Sequence, residues 1–143
     1  MQLIEKTGQE LESDYPYNAK DNACAYDASK GKVHVAADYM VKANLPGQLR
    51  AAIAMGPTAV TVEADSLVFQ MYQSGIVNSP ECGNELNHAI TAVGYGTKGR
   101  QDYYIVRNSW GASWGDQGYI LIEAQFGKGV CGIQQVSIYP KIA

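Results

Sequence analysis

The sequence predicts an α+β fold in which one main helix comes early and a β-sheet comes late. The first observation is the stretch PGQLRAAIAMG, where Pro46 suits the first helical position and Gly56 suits the end of the helix. The second is a series of short β-rich runs from His88 onward, HAITAVGY, DYYIVRNSW, GYILIEA and QQVSIYP, separated by glycine-rich turns. Short strands at this spacing predict a small antiparallel barrel or a curled sheet.

The elements that precede the main helix are shorter and less regular. Gln2–Lys6 predicts the last turns of a helix, which Gly8 would close. Leu11–Ala28 is rich in Asp, Asn, Ala and Tyr, and it predicts an irregular loop that Cys24 could pin. The alternation of Val33–Ala37 indicates a short strand.

The main helix is followed directly by a strand. Leu49, Ala52 and Ile53 share one face of the helix, and we expect that face to be buried. Ala59–Ala64 is rich in β-branched residues and predicts a strand. Leu67–Tyr72 is a short apolar segment that ends at a Ser-Gly break.

Composition excludes several classes of function. The 143 residues suffice for one domain with a core, and 46% apolar against 17% charged residues indicates a globular chain. A formal charge of −3 gives no electrostatic argument for nucleic acid or for an anionic membrane. No apolar run approaches a membrane span, and MQLIEKTGQE does not have the pattern of a signal peptide. Cys82 and His88 have no second pair that would complete a zinc site, so we expect neither a metal nor a cofactor.

His88 and Asn108 are the residues that could carry chemistry. His88 lies where a loop becomes a strand and could act as a general base or as an imidazolium paired with a thiolate. Asn108 could orient the imidazole without adding a charge, and Trp110 could exclude water from the pair. The structural alternatives are a hydrogen-bonded histidine at a strand start, a turn asparagine, and tryptophans that fill the core.

Two blocks of the sequence are highly specific when they occur together. LNHAITAVGYG followed by RNSWGASWGDQGYI resembles the His and Asn blocks of the papain/cathepsin L family of cysteine peptidases. DYPY, the helix ending in GP, AVTVEA, FQMYQSGI, the CG before the His, and VCGI with its following YP also fit the family in order. The resemblance implies the tail of a left-hand helical domain (residues 1–36), a right-hand β-rich domain (residues 37–138) and a C-terminal tail (residues 139–143).

The resemblance also implies a role for each site residue. His88 would be the general base, Asn108 would orient it, Trp110 would shield the pair, and Trp114 would line the primed side of the cleft. The pocket for the P2 side chain of the substrate would have a neutral floor at Val136, which implies a preference for apolar P2 residues. The residues matching positions in or beside that pocket are Thr61, Leu86, Asn87, Ala89 and Val136.

The nucleophile of the family does not occur in this sequence. The family carries a Cys at a helix N-terminus, in a Gly-Ser-Cys-Trp context, about 130–150 residues before the His and Asn. That distance from His88 runs past the first residue of the chain, and none of the three cysteines has the required context. The resemblance implies a disulfide between Cys82 and Cys131, and a partner for Cys24 in the missing half. Cys24 as the nucleophile is the alternative, but its surroundings predict no helix N-terminus.

The sequence therefore resembles the His/Asn half of a papain-like cysteine endopeptidase, which hydrolyses peptide bonds through an acyl-thioester. We expect the isolated chain to be inactive, its substrate to be a peptide or protein, and its partner to be an N-terminal half or light chain with the nucleophile. The alternatives are a non-catalytic interaction or inhibitory module, an incomplete gene model, and a processed heavy chain. The resemblance implies a lysosomal, vacuolar or secreted location.

Overall fold

The computed structural model describes residues 6–143, which form two compact units. The first unit contains the described residues up to Tyr39 together with Pro140–Ala143, and the second contains Met40–Tyr139. Most of the helix end predicted for Gln2–Lys6 lies outside the described residues. Lys6 is helical, and Gly8 has the positive φ of 76° that a helix-terminating glycine adopts.

The first unit is mostly irregular, as the composition of its central loop predicts. A 3₁₀ helix, Ala28–Lys30, is capped by the side chain of Asp27, and strand β1 follows at Val35–Met40. The loop is held by local hydrogen bonds, such as the one from the Ala25 N–H to the Tyr15 hydroxyl at 3.2 Å. Cys24 is exposed and has no disulfide partner among the described residues, so these local bonds, rather than a disulfide, hold the loop.

The second unit contains the predicted main helix. Helix α1 is Pro46–Met55, with its proline at the first turn. Its buried residues are Leu49, Ala52 and Ile53, which confirms the predicted face. The apolar segment after the next strand forms a second, four-residue helix, α2, at Leu67–Gln70.

The second unit contains the strands Thr58–Val62 (β2), Ile76–Val77 (β3), His88–Lys98 (β4), Gln101–Arg107 (β5) and Tyr119–Glu123 (β6), and the first residues of Ser137–Ile142 (β7). These strands lie in one sheet in the order β7-β2-β4-β5-β6-β3. The sheet is antiparallel except for β3, which runs parallel to β6. A barrel requires its outermost strands to pair, and this linear order leaves the sheet open. The structure therefore has an open mixed sheet where the sequence predicted an antiparallel barrel or curled sheet.

The core is formed by one face of this sheet together with residues of α1, α2 and the segments that the Cys82–Cys131 disulfide joins. Alternate residues of each strand are buried, as in β2, where Thr58, Val60 and Val62 point inward. Burial of each aliphatic side chain of this kind contributes about 1.5–3 kcal/mol to stability. The largest fully buried side chains of the sheet and its helices include Leu49, Val60, Val62, Phe69, Tyr104, Val106, Ile120, Ile122 and Ile133.

The register of the sheet brings the sequence motifs together. Val62 of β2 pairs with His88 at the start of β4, and Thr61 pairs with Ala89. The β4–β5 hairpin pairs Thr91 with Arg107, so His88 and the residue that follows β5 lie at the same end of the hairpin. No helix within residues 6–143 is long and apolar enough to cross a membrane.

Candidate active site

His88 and Asn108 meet at the open end of the β4–β5 hairpin. His88 is the first residue of β4, and Asn108 directly follows β5. The imidazole Nε2 lies 2.9 Å from the Asn108 Oδ1, although the two residues are 20 positions apart in sequence. Asn108 is buried, which removes the competition of water for this hydrogen bond.

The hydrogen bonds to Asn108 assign the imidazole tautomer. The backbone N–H of Ser109 donates to the Asn108 Oδ1 at 2.7 Å, which identifies that atom as the amide oxygen. An amide oxygen only accepts, so the His88 Nε2 must carry the proton that it donates. The lone pair of the neutral imidazole is then on Nδ1, which has no hydrogen-bond partner within residues 6–143. The arrangement leaves a base whose free nitrogen can take a proton.

Trp110 covers one face of the pair. Its ring centroid lies 5.1 Å from that of the His88 imidazole, with the two planes inclined by 31°. The indole is 42% exposed, so it forms part of the surface while it shields the imidazole.

Phe69 is a site residue that sequence reasoning missed. It is fully buried and packs against three aromatic rings, edge-on to Trp110 at 5.5 Å and His88 at 6.3 Å, and stacked on Trp114 at 5.1 Å. The only signal in the sequence was its place in the FQMYQSGI block. No spacing rule connects a residue of α2 with a histidine 19 positions later.

Trp114 packs against both Phe69 and Trp110, with ring centroids 5.1 Å and 5.4 Å away. Its indole N–H donates to the Gln70 carbonyl at 3.1 Å, and its ring borders an open groove of about 510 Å³ that also involves Met71. Tyr72 contacts the same ring at 5.9 Å, and burial raises the pKa of Tyr72, so its hydroxyl stays protonated. This hydroxyl donates to the Gly75 carbonyl at 2.7 Å and fixes the turn after α2.

Three of the residues assigned to the substrate pocket lie side by side. Thr61 pairs with Ala89 across β2 and β4, and both its N–H and its hydroxyl donate to the Val136 carbonyl at 3.1 Å. Asn87 is held nearby, because its side-chain oxygen accepts the Ala64 N–H at 2.8 Å. Leu86 lies against Gly132, where an added Cβ would be 2.9 Å from its Cδ2.

The cysteines of the second unit are joined to each other. Cys82 and Cys131 form a buried disulfide, in the pairing that the resemblance implies. This bond connects the segment before β4 with the segment before β7, which carries Val136. The second unit therefore offers His88 no thiol of its own.

Comparisons with known proteins agree on one family. The sequence profile described as papain family cysteine protease matches residues 1–141. Chymopapain from Carica papaya is 40% identical over 98% of this chain and 40% of its own length. The cathepsin L-like proteinase of Fasciola hepatica is 41% identical over 99% of this chain and 44% of its own length. The oryzain beta chain of Oryza sativa subsp. japonica is 42% identical over 96% of this chain and 30% of its own length. The chain thus spans less than half the length of these curated relatives.

Solved structures give the same result for the fold. The bromelain protease from Ananas comosus, in an inhibitor complex, superposes with a TM-score of 0.88 and is 36% identical, covering 98% of this chain and 66% of that one. The digestive procathepsin L 3 of Tenebrio molitor larval midgut gives a TM-score of 0.89 at 35% identity, over 98% of this chain and 46% of that one.

Proposed function

This chain belongs to the papain family of cysteine proteases, and we propose that it supplies the histidine and asparagine of a papain-like cysteine endopeptidase. The observation that carries the proposal is the hydrogen bond from the His88 Nε2 to the Asn108 Oδ1, which leaves Nδ1 as the free base. A hydrogen-bonded structural histidine needs no such arrangement. Here the orienting residue, the tautomer and the aromatic shield occur together.

In the proposed reaction His88 acts first as a general base and then as a general acid. Its Nδ1 takes the proton of a cysteine thiol, and the thiolate attacks the carbonyl carbon of the peptide bond. The imidazolium then gives its proton to the leaving amine, and an acyl-thioester remains. In the second half the same nitrogen takes a proton from water, and the hydroxide attacks the thioester carbonyl. The C–S bond then breaks, the carboxylic acid product leaves, and the imidazolium returns its proton to the thiolate. The Asn108 Oδ1 accepts the hydrogen bond from the Nε2–H throughout, and it holds the ring in place in both the neutral and the charged form without adding a charge.

The thiol would come from residues outside this sequence. We propose that residues 1–36 are the tail of a left-hand domain, residues 37–138 the right-hand domain and residues 139–143 a C-terminal tail. The nucleophile would belong to the rest of that left-hand domain, either in the same longer protein or in a separate light chain. The share of its relatives that this chain spans supports this proposal, as does the exposed thiol of Cys24, which would pair with a cysteine of that half.

The substrate would be a peptide or protein with an apolar P2 residue. Thr61, Ala89 and Val136 form adjacent, uncharged positions on the surface beside His88, and no acidic side chain stands among them to attract an arginine. Leu86 and Asn87 would complete the border of this pocket, and Trp114 would line the primed side. A lysosomal, vacuolar or secreted location agrees with the disulfide, since such bonds persist in oxidising compartments.

The test begins with the protein from its native source. Its intact mass is measured with and without reductant, and its hydrolysis of aminomethylcoumarin peptides with Leu or Arg at P2 is assayed in the presence of thiol. We expect the native species to be larger than this chain alone and to cleave the Leu substrate faster than the Arg substrate. If the native protein is this chain alone, with one free thiol and no turnover, the proposal is wrong.

A non-catalytic interaction module is the second candidate. The observation that favours it is that both cysteines of the second unit are consumed in one disulfide. A binding role does not explain why the hydrogen bond to Asn108 leaves the His88 Nδ1 free to act as a base. The P2 assay above separates the two candidates, because a module of this kind has no thiol-dependent turnover in any form.

A further inference from the structure

The short helix α2 holds the residue that supports the catalytic histidine. It spans only Leu67–Gln70, and a helix of one turn is not stable without partners at its ends. Phe69 lies in this turn and is fully buried, with the rings of Trp114, Trp110 and His88 packed around it. Any displacement of the turn therefore moves the ring on which the imidazole and its shield rest.

Both ends of this turn are fixed by side chains. At the start, the Ser66 hydroxyl accepts the Phe69 N–H at 3.3 Å, as an N-cap residue does. At the end, the Trp114 indole N–H donates to the Gln70 carbonyl at 3.1 Å, which satisfies a carbonyl that the helix itself leaves free. The indole that packs on Phe69 thus also closes the helix that carries Phe69.

The Ser66 hydroxyl has a second contact that fixes its direction. It lies 3.8 Å from the Cys82 Sγ of the buried disulfide and donates its only proton to that sulfur. With the proton directed to the sulfur, the oxygen lone pairs are available to the Phe69 N–H. A continuous series of contacts therefore runs from the disulfide through Ser66 and Phe69 to His88.

We propose that Ser66 is a positioning residue for His88, which holds the α2 turn between the Cys82–Cys131 disulfide and the imidazole through the backbone of Phe69. Ser66 touches neither the substrate nor the reacting atoms, so its effect is on the placement of the base. The structural part of the inference stands on these contacts alone. Its consequence for the rate rests on the proposed function.

The first experiment observes the histidine directly in this chain. The sequence contains two histidines, so ¹³C-labelled histidine gives two sets of ring signals, and the exposed His34 in the other unit serves as the internal reference. Because the protons of the His88 ring lie beside Trp110 and Phe69, their chemical shifts report its placement. We expect Ser66→Ala to move the His88 signals. It should also speed solvent exchange of the Trp114 indole N–H by about fivefold, because loss of a typical N-cap raises the population of the open turn by about that factor. Ser66→Thr, which keeps the hydroxyl, should restore both.

A matched control comes from a second serine cap in the same unit. The Ser79 hydroxyl accepts the Glu81 N–H at 3.2 Å and caps the 3₁₀ helix Pro80–Cys82, which also reaches the disulfide. Ser79→Ala removes the same kind of bond from a helix that neighbours α2, but it removes no hydrogen bond of the turn that carries Phe69, so the His88 signals should stay unchanged. If Ser66→Ala leaves the His88 signals in place, or if Ser79→Ala moves them equally, the inference is wrong.

The second experiment uses the complete protease that contains the nucleophile. Ser66→Ala should lower kcat by about fivefold with little change in KM, and Ser66→Thr should restore it. An equal fall for Ser79→Ala would overturn the positioning role. A protease with intact Ser66 that has no activity would overturn the proposed function, whereas the link between Ser66 and the His88 ring would stand on its own spectra.

Discussion

The two units of this chain differ in what holds them together. In the second unit a sheet, two helices and a disulfide enclose a continuous core, and every candidate site residue belongs to it. Among the described residues of the first unit up to Tyr39, only Gly8, Glu10 and Val35 are buried, and the loop is held by local side-chain bonds. A region with so few buried contacts opens locally at low cost. The catalytic base and the side chains that support it therefore lie in the more densely packed unit. Matched substitutions in the two units should have very different effects.

The largest difference should come from the two histidines. In the complete protease, His88→Ala should lower kcat/KM by a factor on the order of 10⁴ or more, because loss of the base removes the step that activates the nucleophile. His34→Ala, in the exposed part of the first unit, should leave kcat/KM within about twofold of the parent. The measurement is the steady-state rate with a Leu-P2 peptide at saturating and limiting concentrations. An active His88→Ala variant would remove His88 from the mechanism.

The cysteines give the next largest effect. The Cys82–Cys131 bond closes a loop with a sequence separation of 49, and a loop of that size constrains the unfolded chain by about 4 kcal/mol. Replacing both cysteines by Ala should reduce the free energy of unfolding by about that amount, as measured by urea denaturation. Cys24→Ser, at an exposed position without a partner in the described residues, should change it by less than about 0.5 kcal/mol. Equal losses for the two changes would mean that the first unit is as tightly held as the second.

The sequence predicted the local features of the rigid unit but not its long-range contacts. The proline, the glycine and the apolar spacing of α1 are local signals, and its buried face was predicted correctly. His88 and Asn108 were found by their chemistry and by resemblance, since their contact depends on the register of the β4–β5 hairpin, which the spacing alone does not determine. Phe69 was missed because an aromatic residue in a four-residue helix has no signal beyond apolarity. The close spacing of short strands predicted an antiparallel barrel or curled sheet, and the parallel pairing of the two-residue β3 with β6 was missed because it has no pattern in the sequence.

The two cores should respond unequally to the same kind of truncation. Ile122 is fully buried in the sheet, and Ile122→Ala should reduce the free energy of unfolding by about 3 kcal/mol through lost contacts and a residual cavity. Val35 is the buried aliphatic residue among the described residues of the first unit, with 6% exposed, and Val35→Ala should cost about 1 kcal/mol because fewer carbon atoms and fewer buried contacts are lost. Hydrogen exchange of the β6 amides should become faster in Ile122→Ala and stay the same in Val35→Ala. A larger loss of stability for Val35→Ala than for Ile122→Ala would mean that the first unit is the more tightly packed of the two.

The smallest difference should come from two tyrosines, and it should depend on pH. The Tyr104 hydroxyl is buried and donates to the Gln134 Oε1 at 2.9 Å, so Tyr104→Phe leaves that oxygen without a donor and should cost about 1–2 kcal/mol. Tyr17 is 83% exposed, and Tyr17→Phe should change stability by less than about 0.5 kcal/mol.

Burial raises the pKa of Tyr104, so above about pH 10 the folded state holds a proton that the unfolded state has lost. Stability should therefore fall as the pH rises through that range, and the fall should be smaller in Tyr104→Phe than in Tyr17→Phe. Urea midpoints measured between pH 8 and about pH 11 would show this difference. Equal slopes for the two variants would mean that the Tyr104 hydroxyl ionises as readily in the fold as in the unfolded chain, and that the core of the second unit admits water near α1.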